Sequence, residues 1–187
     1  MGRTYDAIDG RLAEFVLAQP VFFVATAPLS DEGLVNCSPK GNRGDLVVLG
    51  ERTVAYRDLT GSGVETIAHL NENGRIVLMV CAFSGPPRIV RLHGRGEVVV
   101  AGDGRFGDLA SHFPEAAGTR AVIVVDVTRV SDSCGYGVPV MGFERHRDNL
   151  DHWADTKGTD GLVAYRREKN AASLDGLPGY PADVAGA

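Results

Sequence analysis

The sequence has little cysteine, and its three cysteines lie far apart, at Cys37, Cys81 and Cys134. An odd number at these separations fits neither a disulfide framework nor a zinc site built from paired cysteines. The five histidines are scattered as well, and His146 and His152, six residues apart, would lie on different faces of a helix. We therefore expect a reducing, cytoplasmic compartment and no metal site.

Long apolar runs are also missing. The longest, Ile76–Phe83, has the length of a buried strand and is far shorter than the ~20 residues that a membrane helix requires. The first ten residues carry charge where a signal peptide would be apolar. The net charge of −5 disfavours a general nucleic-acid-binding surface. We expect neither a membrane nor a nucleic acid as partner.

What the sequence does contain is enough apolar residues for one core. It has 187 residues, of which 44% are hydrophobic and 23% charged, which suits a single domain better than two. Between residues 34 and 96 there are eight Arg or Lys against five Asp or Glu, a balance of +3, whereas the rest of the chain carries −8. A basic central segment in an acidic protein indicates a small anionic ligand.

The pattern of apolar and turn-forming residues predicts short strands joined by tight turns, with few helices, which favours an antiparallel barrel. An amphipathic helix is expected over Tyr5–Gln19 and a short one over Phe106–Phe113. The predicted strands are Val21–Ala27, Leu34–Ser38, Asp45–Leu49, Thr53–Tyr56, Arg75–Ala82, Arg88–His93, Glu97–Ala101 and Ala121–Val130, with a bulge or bend at Gly94–Gly96.

The C-terminal part differs in composition. Gly142–Asn170 is charged and helical in pattern, and Ser173–Ala187 is rich in Gly, Pro and Ala, as expected of a tail that is frayed or partly wrapped on the surface. We divide the chain into a barrel domain over residues 1–141 and a helical extension with its tail over residues 142–187, packed on the same domain.

The stretch Thr53–Gly74 reads as strand, turn and short helix, and its turn allows two interpretations. Ser62 and Glu65 have the spacing of a capping box, in which each side chain bonds to a backbone amide at the helix start. Alternatively, the hydroxyls and exposed amides of Thr60–Gly63 could bind a phosphate at the positive end of the helix dipole. The stretch alone leaves both open.

Gly102, Gly104 and Gly107 have the spacing of the dinucleotide-binding fingerprint, and Asp126 lies near the end of the next strand. Pro114, however, limits the helix to about two turns, too short for the crossover of a parallel sheet. We interpret the motif as a Gly-rich turn.

Several segments together are similar to the pyridoxamine-phosphate-oxidase-like split β-barrel family of flavin-binding proteins. They are FFVATAP at Phe22–Pro28, GLVNCSPKG at Gly33–Gly41, VAYRDLTGSGVET at Val54–Thr66, HLNENGRIVLMVCAF at His69–Phe83 and GPPRIVRLHGRG at Gly85–Gly96, followed by SCGYGVPVM at Ser133–Met141 and SLDGLPG at Ser173–Gly179. The resemblance implies a mainly β, six-stranded antiparallel split β-barrel with short peripheral helices. It also implies a homodimer, with FMN in the groove between subunits and a small-molecule substrate.

Carried over residue by residue, the resemblance assigns cofactor-binding roles to Asn36, Ser38, Lys40, Tyr56, Arg57, Asp58, Thr60, Ser62, Arg88 and Arg91. Thr60, Ser62, Lys40 and an arginine would meet the phosphate. Each has a simpler alternative: Lys40 as a turn lysine, the two later arginines in surface ion pairs, and Tyr56 as a half-buried strand residue. Arginine and lysine clamps of the well-characterised oxidases are missing from the corresponding turn, so we expect weaker phosphate binding and no true pyridoxamine-phosphate oxidase activity.

The function expected from this resemblance is an FMN-dependent oxidoreductase that transfers a hydride or electrons through the flavin, with no protein acid or base assigned. A deazaflavin-dependent reductase on the same fold and a non-catalytic flavin-binding or sensor protein are the alternatives, and haem is a less favoured cofactor. Cys134, flanked by glycine, is interpreted as a buried structural cysteine rather than a reactive thiol.

Overall fold

The computed structural model describes residues 2–41 and 43–181. Its strands are β1 Thr4–Tyr5, β2 Val21–Thr26, β3 Asn36–Gly41, β4 Leu46–Gly50, β5 Thr53–Leu59, β6 Arg75–Cys81, β7 Ile89–Val100 and β8 Thr119–Ser133. Its helices are α1 Gly10–Ala18, α2 Glu65–Asn73, α3 Phe106–Ala110 and α4 Asn149–Lys169. Of the predicted tail, residues 182–187 lie outside the described part of the chain.

The strands form one antiparallel sheet in the order β3-β2-β6-β7-β8-β5-β4, with β1 paired to β8. This curved half-barrel with few short helices confirms the predicted fold class, a mainly β antiparallel split barrel. The sheet has eight strands rather than the expected six, one of them the two-residue β1. Because β7 and β8 are antiparallel neighbours, the glycine motif between them is not part of a parallel crossover: Gly102 and Gly104 lie in a turn, with a positive φ of 97° at Gly102, and Gly107 lies in the short helix α3.

Alternating side chains of β2 point into the barrel and build its core. Phe22 and Val24 are fully buried there and belong to the same cluster as Leu12 and Val16 of α1 and Tyr56 of β5. A smaller apolar cluster lies against Phe113 and includes Ala55 and Val122. Because side chains on both faces of β5 are covered, five consecutive residues of that strand are buried.

β7 is one long strand that bends at the predicted position. Its register with β8 shifts between His93 and Gly94, as at a bulge. A side chain at Gly94 would clash with the carbonyl oxygen of Asp126, which explains why the bend requires glycine. The predicted strands on either side of this bend are therefore parts of a single element.

The predicted helix bounds are only partly right: α3 begins at Phe106 as predicted but ends at Ala110, and α4 begins at Asn149 rather than near Gly142. α1 begins later than expected, because Thr4 and Tyr5 pair with β8 and the Asp9 side chain caps the helix by accepting from the Leu12 amide. α2 ends at Gly74 in the left-handed conformation, as predicted from Asn73-Gly74. α4 is interrupted at Gly158, whose φ of 64° and ψ of 175° break it into two helical segments.

The capping-box interpretation of Ser62 and Glu65 is wrong. Val64 is the N-cap of α2, and no side chain caps it. The chain turns into the helix two residues later than the hydroxyl of Ser62 would require. The first amides of α2 therefore lack the side-chain acceptor that a capped helix has.

Candidate functional site

A cavity of about 300 Å³ lies between β3, the end of β5 and the start of α2. Polar and charged side chains dominate its wall. They are Asn36, Ser38, Lys40, Asp45, Arg57, Asp58, Glu65, Thr66 and Arg120. Five of the ten residues assigned by resemblance, three from β3 and two from β5, thus line one cavity.

Asp58 is the electrostatic centre of this wall. Its side chain is 1% exposed, with Lys40 Nζ 3.0 Å from Oδ1 and Arg120 Nε 2.6 Å from Oδ2. Burial pushes the pKa of Asp58 upward, but Arg120 and Lys40 outweigh burial and lower the pKa to about 2. Asp58 is therefore ionised at neutral pH and holds two cations beside the cavity.

The neighbours of Asp58 on β5 are also buried. Tyr56 packs edge-on against Phe22, with ring centroids 5.5 Å apart, and Lys40 Nζ lies 5.5 Å from the Tyr56 ring centroid. Tyr56 is thus a fully buried core residue rather than a half-buried one, and burial, with Asp58 second, raises its pKa well above the ordinary value. Arg57 bonds to Asp45 and to the carbonyl oxygen of Pro114, and within the described chain its buried Nε has no partner.

Asn36 and Ser38 form the polar wall opposite β5. The Asn36 amide donates to Thr26 Oγ1 at 3.2 Å and to Thr66 Oγ1 at 3.1 Å. Its Oδ1 accepts from the Ser38 hydroxyl at 3.0 Å. These bonds connect β3 to β2 and to α2, so the wall is held by three elements.

Thr60 and Ser62, the two hydroxyls expected at a phosphate, have different environments. Thr60 is fully buried, donates to the carbonyl oxygen of Gly118 at 2.9 Å and accepts from Arg166 Nε at 2.9 Å. Ser62 is exposed at the turn. The Thr60 hydroxyl is thus committed to the protein, and the turn is held from outside by α4.

The C-terminal segment fixes this turn through several bonds. Arg120 donates to Asn170 Oδ1 at 2.8 Å and to the Gly63 carbonyl oxygen at 2.9 Å. Asn170 in turn donates to the carbonyl oxygen of Gly61 at 2.9 Å. The shape of the loop before α2 therefore depends on residues more than a hundred positions later in the chain.

Comparison with known proteins identifies the family. Residues 8–134 match the family model described as pyridoxamine 5'-phosphate oxidase. The chain belongs to the pyridoxamine 5'-phosphate oxidase family. It is 38% identical, over 191 aligned residues, to the pyridoxamine 5'-phosphate oxidase family protein ustO of Aspergillus flavus, covering 94% of this chain and 76% of that protein.

A solved structure supports the fold. HupZ of Group A Streptococcus superposes with a TM-score of 0.52 at 18% identity, covering 72% of this chain and 99% of that chain. At this identity the match concerns the fold alone. The family match ends before α4, so the C-terminal residues that hold the turn lie outside it.

Arg88 and Arg91, which the family resemblance also assigned to the cofactor, lie away from the cavity. Arg88 donates to Asp132 Oδ2 at 3.2 Å and to the Tyr5 hydroxyl at 3.0 Å, at a separate groove of about 940 Å³. Arg91 donates to Ser133 Oγ at 3.1 Å. Within this one chain, the structure does not bring these arginines together with the other assigned residues.

Cys134 lies at the same groove as Arg88 and is exposed, so its interpretation as a buried cysteine is wrong. Gly135 after it has a positive φ of 67° and approaches the backbone of Arg88.

Across residues 2–41 and 43–181 there is no cluster of three His, Cys, Asp or Glu that could hold a metal ion. No helix in these ranges is long and apolar enough to cross a membrane.

Sequence reasoning gave no cofactor role to four residues of the cavity wall, Asp45, Glu65, Thr66 and Arg120, nor to Arg166 and Asn170 at the turn. Arg120 had a local signal, since it is a lone cation directly before the apolar run Ala121–Val125 and is buried with that strand. Thr66 lies one residue after Glu65 on the helix that the sequence did predict. Arg166 and Asn170 carried no such signal, because only the tertiary fold places the end of α4 beside the β5–α2 turn.

Proposed function

We propose that this protein binds FMN in the cavity between β3, β5 and α2 and uses it as an oxidoreductase on a small molecule. The observation that supports this most directly is the convergence of Lys40 and Arg120 on a cavity that is also lined by the uncapped start of α2. Cations and free helix-start amides are the donors that a phosphate of nearly two negative charges requires. Family membership supplies the flavin as the expected phosphate ester.

The donor set fits such a group. Lys40 donates one hydrogen bond to Asp58 and has further protons for a ligand. The amides at the start of α2 have no side-chain acceptor. Thr60 is excluded from the proposed phosphate contacts because both of its bonds are internal. Glu65 at the cavity wall weakens anion binding, in line with a modest affinity.

The environments of these residues indicate separate roles for the cofactor and the protein. Bound FMN would supply hydride or electron transfer, and the protein would bind and orient it. Asp58 has a pKa of about 2, so it holds Lys40 and Arg120 in place and does not serve as a general acid at neutral pH. Asn36 and Ser38 would contact polar atoms of the ligand from the β3 side.

A second copy of the chain is part of the proposal. The sheet ends in two edge strands, β3 and β4, and β3 forms one wall of the cavity. Exposed apolar side chains follow β8, at Tyr136, Val140, Met141 and Phe143. A homodimer would cover such surface, and light scattering at micromolar concentration would measure its mass directly. A monomer under those conditions would remove this part of the proposal.

Flavin binding is tested by titrating FMN into the purified protein and following the quenching of its fluorescence. Lys40→Met removes the cavity cation and is expected to weaken binding about tenfold, the loss of one charge-assisted hydrogen bond. Lys169→Met is the matched control, since Lys169 is exposed and pairs only with Glu168 among the described residues. Failure of the wild-type protein to bind FMN would overturn the proposal; equal affinities for all three proteins would move the site elsewhere.

A further inference from the structure

His69 is a buried titratable side chain that the proposed chemistry does not use. It lies in the middle of α2 and is fully buried, with Nδ1 3.0 Å from Thr26 Oγ1. Its buried Nε2 has no hydrogen-bond partner in the described chain and faces Asp175 Oδ2 at 3.7 Å. Asp175 belongs to the loop after α4 and also accepts from the Leu34 amide at 3.1 Å. A buried polar ring nitrogen in this state requires an explanation.

Asp175 and Thr26 together determine which ring nitrogen carries the proton. Thr26 Oγ1 accepts from the Asn36 amide at 3.2 Å and can either donate to His69 Nδ1 or accept from it; the Asp175 carboxylate, 3.7 Å from Nε2, favours a proton on Nε2 and hence donation from Thr26 to Nδ1. A ring nitrogen that accepts cannot carry a proton, so a neutral His69 holds its proton on Nε2. This tautomer also points an N–H at the Asp175 carboxylate. Asp175 therefore selects this form, and Thr26 accommodates it by donating to Nδ1.

The chain of bonds continues from His69 to the cavity. Asn36 uses one amide proton on Thr26 and the other on Thr66, and its Oδ1 accepts from Ser38. Because its partners are hydroxyls, a turned-over amide could keep these bonds only if all three hydroxyls exchanged donor and acceptor roles, and Thr26 cannot do so while it donates to His69 Nδ1. Asn36 Oδ1 can accept one more hydrogen bond, and both Asn36 and Ser38 line the cavity.

We propose that His69 is a positioning residue for the candidate flavin cavity. With Asp175 and Thr26 it fixes the Asn36 amide so that the cavity wall presents hydrogen-bond acceptors, Asn36 Oδ1 and Ser38 Oγ, to an N–H donor of the ligand. The inference rests on the proposed function, since the ring of FMN carries such an N–H on its pyrimidine edge. It also gives the C-terminal loop a role in ligand recognition, through Asp175.

Two substitutions of one residue separate this role from packing. Thr26→Val keeps the shape of the side chain and removes the hydroxyl, whereas Thr26→Ser keeps the hydroxyl and removes a methyl group. We expect Thr26→Val to weaken FMN binding about tenfold and to shift the visible band of the bound flavin, and Thr26→Ser to bind within about twofold of wild type. Thr128→Val, at an exposed threonine that donates to the His93 carbonyl, is the control for the chemical change.

The outcomes distinguish this inference from the proposed function. If wild type binds FMN but Thr26→Val binds equally well, or if Thr26→Ser is the weaker binder, the positioning role is overturned. If wild type does not bind FMN, the proposed function fails. The hydrogen bonds from His69 to Asn36 can then still be tested in the ligand-free protein, by locating the proton on the His69 ring. Nitrogen-15 spectra of the His69 ring should show the proton on Nε2. A proton on Nδ1 would overturn the chain itself.

Discussion

Two carboxylates, Asp58 on β5 and Asp132 on the neighbouring strand β8, each form an ion pair with basic side chains, but the two ion pairs are buried to different depths. Asp58 contacts Lys40 and Arg120 with a side chain that is 1% exposed, whereas Asp132 contacts Arg88 with a side chain that is 15% exposed. Partial burial pushes the pKa of Asp132 up, but bonds from Tyr5, the Arg3 amide and Arg88 outweigh it and lower that pKa. Asp58 thus holds two cations in the interior, whereas Asp132 holds one cation nearer the surface. Depth decides how much each pair affects folding.

The largest effect is expected when the deeper carboxylate is neutralised. Asp58→Asn leaves Arg120 and Lys40 close together without a counter-charge, and Arg120 is buried. Breaking one side of a buried ion pair costs about 3–5 kcal/mol of unfolding free energy. Urea denaturation followed by circular dichroism measures it. A loss under about 1 kcal/mol would show that water reaches this network.

The contribution of Asp58 to the unfolding free energy should also depend on pH in the acid range. The pKa of Asp58 is about 2 in the folded protein and close to 3.8 when unfolded, so the unfolded state binds the proton more readily. Its contribution is therefore complete above about pH 4 to 5 and is lost as pH falls toward 2, a difference of roughly 2 kcal/mol. The difference in unfolding free energy between wild type and Asp58→Asn should therefore narrow by roughly 2 kcal/mol over this window. Parallel pH curves for the two proteins would contradict the assignment.

A third test compares two hydroxyls on the same turn. Thr60→Val leaves the buried Arg166 Nε without its partner and removes one of two bonds to the Gly118 carbonyl oxygen, which still accepts from the Thr60 amide; we expect a loss of about 1–3 kcal/mol. Ser62→Ala alters an exposed hydroxyl and should change stability by less than about 0.5 kcal/mol. Thermal unfolding of the two variants, measured side by side, provides the comparison. Equal losses would mean that the α4 contacts do not hold the turn.

The strands could be predicted because local pattern and local geometry agree. β2, β5, β6 and β8 contain dense β-branched or apolar residues, and the glycines at the β7 bend and after α2 mark required backbone shapes. The start of α2 was mispredicted because Ser62 has a capping spacing that the chain does not use. β1 was missed because two residues gain strand structure only through their pairing with β8.

Only part of the site could be predicted from the sequence. Lys40 and Asp58 belong to motifs that the family resemblance marks, and they meet across the barrel as a pair. Arg88 and Arg91 were grouped with them because a family resemblance gives the order of motifs along the chain. It does not show where a side chain lies in the sheet or how deeply it is buried. Arg166 and Asn170 could not be foreseen, since long-range folding alone brings the end of α4 to the turn. Asp175 lies in the quoted segment Ser173–Gly179 but received no role, because only the fold places it beside His69 of α2.

The shallower carboxylate should give the smallest effect and the clearest dependence on salt. Asp132→Asn keeps an oxygen that can accept from Tyr5 and Arg88, so we expect a loss of about 1 kcal/mol or less. At 1 M salt the screening length falls to about 3 Å, and this small difference from wild type should shrink further. The loss caused by Asp58→Asn should stay nearly constant, because ions do not enter the buried network. If salt reduced both losses equally, the contrast between a sealed and an open ion pair would fail, since the two carboxylates would then share one dielectric environment.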